Sequence, residues 1–323
     1  MKKNICKAIL FSTAVFVLFG LYSQAQALTI SPARLELSAD PGQTISGEFS
    51  LINEQEDTKT FYSSTANFEA QGESGTPTFT DSKEGLASWI HLIPEVTLKK
   101  GQQTKVSFTI SVPKDADAGG HFAAIFLSTV PSSTDKGQVS IGAKIGVLVL
   151  LRVSGEIKEG GGIVGFNTKD TSSFFTSLPI DFVYRFNNSG NDRVNPVGDM
   201  VVTNTIGFET FRLSANQNQG NVLPGSTRRF DVVWGNNDLA PVKGGFFTMV
   251  AYEWNHFAFG RYTAHIALAY GDKGKAEASK SVYVFPWQLL IIISIILIII
   301  FLVFSLGLKR YNKWIIQKAR NMQ

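Results

Sequence analysis

The chain has almost no cysteine. Of its 323 residues only Cys6 carries a thiol. That residue precedes an apolar run, so it is not placed as a lipid-acceptor cysteine. A chain processed after Ala27 would therefore form no disulfide and no thiolate metal site. Exported chains without disulfides depend on the size of their core, which is typical of bacterial surface proteins.

Signatures of catalysis are equally scarce. The four histidines belong to no HExxH pattern, and the chain has no GxSxG and no pair of cysteines. A hydrolase needs a nucleophile or a metal-bound water held beside a base. We therefore expect a non-enzymatic protein with no catalytic, cofactor-binding or metal-binding residues.

The long central part of the chain has no excess of positive charge. The formal net charge is +4, but three of the 30 basic residues lie in 1–27 and five in 309–323. The remainder holds 22 basic residues against all 26 acidic ones. A basic stripe of the kind that binds nucleic acid is therefore not expected.

The N-terminus has the pattern of an export signal. Three lysines precede an apolar run from Ala8 to Leu21, and Ala25-Gln26-Ala27 has small residues at the positions typical of a cleavage site. We predict a signal peptide over 1–27. An uncleaved anchor is the alternative.

A long uncharged stretch lies near the C-terminus, from Ser281 to Leu308. About 20 apolar residues in a helix match a hydrocarbon core of roughly 30 Å. The sequence therefore predicts a transmembrane helix over 285–308, with Trp287 and Trp314 at the two interfaces.

The segment that follows, 309–323, is a basic tail without acidic residues. Basic residues beside a membrane span mark its cytoplasmic side. We therefore expect a single-pass protein of the cell membrane with its N-terminal domains outside; binding of a cytoplasmic partner or of anionic lipids is the alternative role of the tail. The residues that determine this topology are Lys309, Arg310, Lys313, Lys318 and Arg320.

The part between the two apolar segments reads almost entirely as strands. Stretches rich in Val, Ile, Phe, Thr and Tyr end at Gly, Pro, Asn or Asp. Helical periodicity is not convincing in this part, so we expect an all-β fold of sandwich type. The clearest predicted strands are Gln103 to Val112, Gly120 to Val130, Val139 to Val153, Thr227 to Trp234 and Phe246 to Trp254.

The same part of the sequence looks doubled. Phe49, Leu51 and Asn53 alternate before a polar turn, as do Tyr184, Phe186 and Asn188. The turns Leu98–Gly101 and Val222–Gly225 follow, each ending in glycine, and Gly119-Gly120 and Gly244-Gly245 then precede a predicted strand. We predict two immunoglobulin-like β-sandwich domains, 28–157 and 158–284.

The first half reads LTISPARLELSADPGQTISGEFSLIN and later VTLKKGQQTKVSFTISVPKDADAGGHFAAIFLS. This resembles the extracellular region of the WxL-interacting proteins of bacterial surfaces. The resemblance implies two immunoglobulin-like sandwiches, one membrane span and a basic tail. It also implies binding of peptidoglycan by the first domain and of partner surface proteins or host matrix by the second.

The same half also resembles the first domain of periplasmic pilus chaperones. Those proteins hold a partner's carboxylate with an arginine of the opening strand and a lysine late in the domain. Arg34 could match the arginine, whereas the place of the lysine falls near Gly146 rather than on Lys144. This resemblance implies an alternative function, an anchored chaperone or assembly scaffold for exported β-rich subunits.

One aromatic stretch suggests a contact site. Phe257 and Phe259 lie between two predicted strands, so we expect them at a hairpin tip. If the strand that starts at Tyr262 is antiparallel to the segment entering the membrane, this tip faces the bilayer. We hypothesise that both rings touch lipid headgroups or the juxtamembrane segment. Ordinary packing and a platform for stacking glycans are the alternatives.

Overall fold

The computed structural model describes residues 28–80, 84–131, 144–235 and 245–320, of which 318–320 are described by their backbone alone. The predicted signal peptide lies outside these ranges. Residues up to Ser154 form most of one compact unit, and those from Gly155 onward form most of a second.

The first unit is a β-sandwich. One sheet has the strand order β1-β3-β8-β6 and the other β2-β10-β9-β4-β5, with β7 paired to β4. Alternating apolar residues of β3 and β8, such as Phe49 and Phe108, fill the core between the sheets. Its elements are β1 (Leu28–Ser31), β2 (Arg34–Ala39), β3 (Thr44–Asn53), β4 (Lys59–Gln71), β5 (Thr76–Thr80), α1 (Leu86–Trp89), β6 (Ile90–Leu92), β7 (Glu95–Leu98), β8 (Gln103–Ser111), β9 (Gly119–Ser128) and β10 (Lys144–Val153).

The second unit repeats this arrangement. Its sheets have the orders β11-β13-β16 and β12-β18-β17-β14-β15. In both units the opening strand is split, and its second part pairs in parallel with the last strand, β2 with β10 and β12 with β18. Its elements are β11 (Gly161–Thr168), β12 (Phe174–Phe175), β13 (Ile180–Asn188), β14 (Val197–Asn204), β15 (Glu209–Ser214), β16 (Thr227–Trp234), α2 (Phe246–Asn255), β17 (Gly260–Tyr270) and β18 (Gly274–Val284).

Each unit therefore has the split first strand and the two facing, mainly antiparallel sheets of an immunoglobulin-like sandwich. A single long helix, α3 (Trp287–Arg320), follows the second sandwich. Its stretch Trp287–Gln317, 31 residues, is apolar and long enough to cross a membrane, and only 6% of its most apolar window is buried in the protein. The helix continues beyond Leu308, so the basic residues that follow are helical as well.

A buried asparagine closes the first sandwich at the end of β3. Asn53 is 0% exposed. Its side-chain amide donates to the carbonyl oxygens of Asp57 (2.9 Å) and Leu98 (3.0 Å) and accepts from the amide of Gln55 (3.1 Å). Its own carbonyl accepts from Gly101 (2.7 Å), which has φ +68°. The side chain and the backbone carbonyl of this one residue thus tie the turn after β3 to both ends of the Leu98–Gly101 turn, where a positive φ requires glycine.

Asn188 does the same at the end of β13. It is also 0% exposed, and its amide donates to Asp192 (2.7 Å) and Val222 (2.9 Å) and accepts from Gly190 (2.9 Å). Its carbonyl accepts from Gly225 (2.9 Å), whose φ is +67°. The paired sequence features are therefore equivalent positions of two sandwiches, held by the same hydrogen bonds.

The predicted strand from Phe246 to Trp254 is wrong, because this segment is the helix α2. Aromatic and β-branched residues favour a strand locally, but tertiary contacts decide otherwise. Tyr252 donates to the carbonyl of Leu178 (2.8 Å), and Glu253 accepts from the amide of Leu289 in α3 (2.7 Å). Gly245 therefore precedes a helix, whereas Gly119 opens strand β9 as expected.

We predict that Asn53→Ala and Asn188→Ala each destabilise their own sandwich by roughly 2–4 kcal/mol. Each change removes three hydrogen bonds of a buried side-chain amide, two donated to carbonyl oxygens and one accepted from a backbone amide. A hydrogen bond contributes about 1 kcal/mol to stability, and a buried group left without a partner costs about 1–3 kcal/mol. Hydrogen exchange of the purified full chain measures the effect, in β3 and β8 for one variant and in β13 and β16 for the other. Replacement of the exposed Ser107 by Ala is the control; equal exchange in all three variants would contradict the assigned role.

Candidate membrane-contact and partner-binding sites

The two phenylalanines predicted to face the membrane lie in the link 256–259 between α2 and β17. This corrects the expected hairpin tip, because a helix precedes the link. Phe257 and Phe259 are both exposed, and the ring of Phe259 lies 6.0 Å from that of Phe285, just before α3. Gly260, the first residue of β17, pairs with Val284, the last residue of β18. The structure thus brings this link to the end of the sandwich from which α3 departs.

The two tryptophans predicted at membrane interfaces lie near opposite ends of α3. Trp287 is its first residue, and its ring lies 6.0 Å from that of Phe246 in α2. Trp314 stacks on Tyr311 at 6.2 Å. At about 1.5 Å per residue the two tryptophans are about 40 Å apart along the axis, close to the thickness of a bilayer with its headgroups.

The basic residues predicted to set the topology all fall in the C-terminal part of α3. Lys309, Arg310 and Lys313 are exposed, and the backbone of Lys318 and Arg320 continues the helix. Their role in orientation stays a prediction.

Glu253 is a residue of this region that sequence reasoning missed. It is 1% exposed, and its Oε2 accepts the Leu289 amide at the N-terminus of α3. Burial raises the pKa of this carboxyl, and hydrogen bonds from the Leu289 and Gln288 amides partly oppose that shift. The available signal is that Glu253 is the single charged residue in the stretch 245–260. A lone acid among aromatic residues needs a partner, and here it caps a helix.

A second candidate site lies along β10 in the first sandwich. β2 pairs in parallel with β10 from Leu148 to Val153. Strand β1, which precedes β2 in the chain, does not belong to this sheet, because it pairs with β3 of the facing sheet. The first residues of β10, 144–147, therefore extend past β2. In the described parts of the chain no strand pairs with them on that side.

Aromatic side chains lie on the outer face of the sheet beside this free edge. The ring of Phe126 contacts the ring of Phe79 at 4.8 Å, and the Lys144 ammonium lies 4.0 Å from its centroid. Phe79 is exposed. Gly146 leaves room for this arrangement, since a Cβ there would lie 2.7 Å from Cδ1 of Phe126. The edge thus adjoins a small aromatic surface that also carries a cation.

The cations proposed by the chaperone resemblance do not share a site. Arg34 forms an ion pair with Glu36 (3.1 Å) and is in register with Leu148. Lys144 is four residues earlier on β10, about 13 Å away along the strand. Among the described residues, no three His, Cys, Asp or Glu side chains are grouped so as to hold a metal ion.

We predict that stability depends on pH through Glu253. A folded carboxyl with a raised pKa keeps its proton to higher pH than the unfolded one. Its contribution is therefore present below the unfolded pKa of about 4.3 and is lost as pH rises through the folded value. Thermal unfolding of the full chain in lipid nanodiscs, from pH 4 to 7, should show a falling Tm that Glu253→Gln flattens.

Each kcal/mol lost lowers Tm by roughly 2–4 °C in a domain of this size class. Glu156→Gln, an exposed carboxyl of the same unit, should keep the pH dependence of the parent. The assignment is refuted if Glu253→Gln and the parent give parallel curves.

No family model and no curated protein matches the chain. Among solved structures it is similar to the class 5 fimbriae chaperone CfaA (12% identity, TM-score 0.39, covering 79% of this chain and 99% of that one). It is also similar to the Escherichia coli chaperone DraB (11%, TM-score 0.34, 80% and 97%). A Salmonella enterica structure, the SafA pilin in complex with the SafB chaperone, is a third (10%, TM-score 0.33, 80% and 98%). These solved neighbours are pilus-chaperone-like, at TM-scores too low to bear on function.

Proposed function

We propose that this chain is a non-catalytic, membrane-anchored protein of the cell envelope that binds an extended segment of a partner surface protein. The binding site is the free edge of β10 in the first sandwich. Such a partner is either a surface protein that the chain displays or an exported subunit that it helps to assemble. Both cases use the same edge.

The observation that carries the proposal is that none of the described strands pairs with residues 144–147 of β10 on the side of β2. An unpaired strand edge offers a row of amide and carbonyl groups to an added strand. The chain creates this edge by crossing from the sheet of β1 to the sheet of β2 just ahead of Arg34. An added strand would continue the ladder that β2 forms with Leu148 and the residues after it.

The aromatic surface beside the edge supports the same proposal. Strand addition obtains affinity from main-chain hydrogen bonds and specificity from surfaces that receive alternate side chains. Phe79 and Phe126 offer ring faces to an apolar side chain, and Lys144 favours an acidic one. We therefore expect partner segments with alternating apolar residues and at least one carboxylate.

We predict that a photo-crosslinking residue in place of Lys144 forms covalent adducts with a polypeptide in the native cells. The same residue in place of Ser107, which is exposed on the other sheet, is the control and should form none. Equal labelling at both positions, or none at either, would refute the proposed edge. Retention of the full chain on purified cell wall that Gly146→Val leaves unchanged would favour wall binding instead.

Gly146→Val should weaken partner capture by about tenfold, which corresponds to about 1.4 kcal/mol. The added side chain displaces the Phe126 ring and with it the contacts to Phe79 and Lys144. Gly162→Val is the matched control, because a Cβ at that strand position meets no atom within 4 Å. Capture is measured from the adduct yield; an equal loss in both variants would mean a general effect of valine and not this site.

The membrane orientation has a separate test. Replacing Cys6 by Ser gives a cysteine-free background. A membrane-impermeant maleimide added to intact cells should label Lys273→Cys, in the turn before β18, and should leave Lys313→Cys unlabelled until the cells are opened, because basic residues stay on the cytoplasmic side. The opposite pattern would invert the proposed topology.

A further inference from the structure

Strand register determines which end of the second sandwich faces the origin of α3. Val284, at the end of β18, pairs with Gly260, and on the next strand Tyr262 pairs with Asn204. The turn 205–208 therefore lies at the same end as Val284. Helix α3 begins three residues after Val284, and three residues span at most about 10 Å. Any bilayer that contains α3 must lie close to this end.

Exposed apolar side chains are concentrated at the same end. They come from three separate segments: the turn 205–208, helix α2 and the link 256–259. Ile206 is 77% exposed and Phe247 is 76% exposed. Among the described residues that precede α3 in the second unit, the large exposed apolar side chains outside these three segments are Val164, Phe174, Val197, Tyr283 and Phe285. Of these, Phe174, Tyr283 and Phe285 also lie at the end of β18 from which α3 departs. The most exposed apolar side chains of the three segments are Ile206, Phe208, Phe247, Trp254 and Phe257.

These three segments bring almost no charge to that surface. The turn reads Thr-Ile-Gly-Phe and the link His-Phe-Ala-Phe, without Asp, Glu, Lys or Arg. The one charged residue of α2 is Glu253, which is buried against the amide of Leu289. A charged side chain is costly within lipid, whereas aromatic rings favour the membrane interface. An apolar surface of this kind on an isolated aqueous domain would be a liability.

We propose that this end of the second sandwich is a lipid seat, in which the turn 205–208, helix α2 and the link 256–259 insert their apolar side chains into the interface of the bilayer. The occupant is lipid because the surface is continuous with α3, whose own membrane insertion both this proposal and the proposed function assume. Among the described residues, the turn, helix α2 and the link contribute no exposed Asp, Glu, Lys or Arg to recognise a charged headgroup, and the nearest exposed charges, Glu209 and Arg261, lie just outside these segments. Zwitterionic lipid is therefore sufficient for this contact. Helix α2 lies in the membrane interface and is not surrounded by water.

The seat has two mechanical consequences. Glu253 joins α2 to the first turn of α3, so the helix that lies in the interface is hydrogen-bonded to the helix that crosses the membrane. Because three separate segments contact the lipid, the second sandwich cannot tilt freely on the bilayer. A sandwich attached by a flexible linker alone would lack this restriction.

The test uses the full chain with Cys6→Ser, reconstituted at high dilution into phosphatidylcholine vesicles. A nitroxide is attached in turn to Ile206→Cys and Phe247→Cys. Val197→Cys is the matched control, since Val197 is 64% exposed and lies at the opposite end of β14 from the turn 205–208. Ser294→Cys reports on the interior of α3. Collision rates with oxygen and with a water-soluble nickel chelate give the depth of each label.

We expect nickel collision rates at positions 206 and 247 at least threefold below the rate at 197, with oxygen rates between those at 197 and 294. If the labels at 206 and 247 match the label at 197 while 294 is shielded, the seat is wrong and the transmembrane anchor stands. If 294 is itself open to nickel, the anchor fails and the seat fails with it. Shielding at 206 and 247 that disappears on further dilution of the protein would indicate a second copy and overturn the assignment to lipid.

Discussion

The pairing of β17 with β18 is the constraint on which the membrane-proximal architecture depends. It places Gly260 opposite Val284, so the start of one strand and the end of the other lie at one end of the sandwich. Because α3 begins only three residues after Val284, that end of the sandwich must stay close to the start of the helix. This register places the link 256–259 beside the start of α3, the pairing of β14 with β17 brings the turn 205–208 to the same end, and the bond of Glu253 to Leu289 holds helix α2 there.

A second constraint, the buried asparagine, acts within each sandwich. Asn53 and Asn188 occupy equivalent positions at the ends of β3 and β13 and form equivalent bonds to the following loop and to a glycine turn. A buried amide with all its partners is more specific than an apolar residue, because it is satisfied by one loop conformation alone. The duplicated pattern of the sequence is thus a duplicated hydrogen-bond network.

Much of the fold could be predicted from the chain alone. Alternation of apolar residues predicted the strands, and the matching order of an alternating trio, a glycine-ended turn and a glycine pair in each half predicted two equivalent sandwiches. Helix α2 could not be predicted. Its aromatic residues suit a strand, and what makes it a helix is contact with Leu178 and Leu289, which are remote in sequence. The role of Glu253 was missed for the same reason.

The candidate partner site shows the same division. Nothing in the stretch around Gly146 indicates a free edge, because that edge exists only where β2 ends beside β10. The aromatic surface is formed by Phe79 and Phe126, which are far apart in the chain, and local periodicity cannot predict a contact between them.

The sequence by itself determined the class of the protein: strand-rich sandwiches, their duplication, and one apolar helix with a basic end. These properties follow from local patterns, namely period-two alternation, glycine turns and a long uncharged run. Only the tertiary structure decided that α2 is a helix, that Glu253 caps α3 and that exposed apolar side chains from three segments lie at the end of the sandwich from which α3 departs. Those outcomes depend on strand register and on contacts between distant residues, which no local pattern encodes.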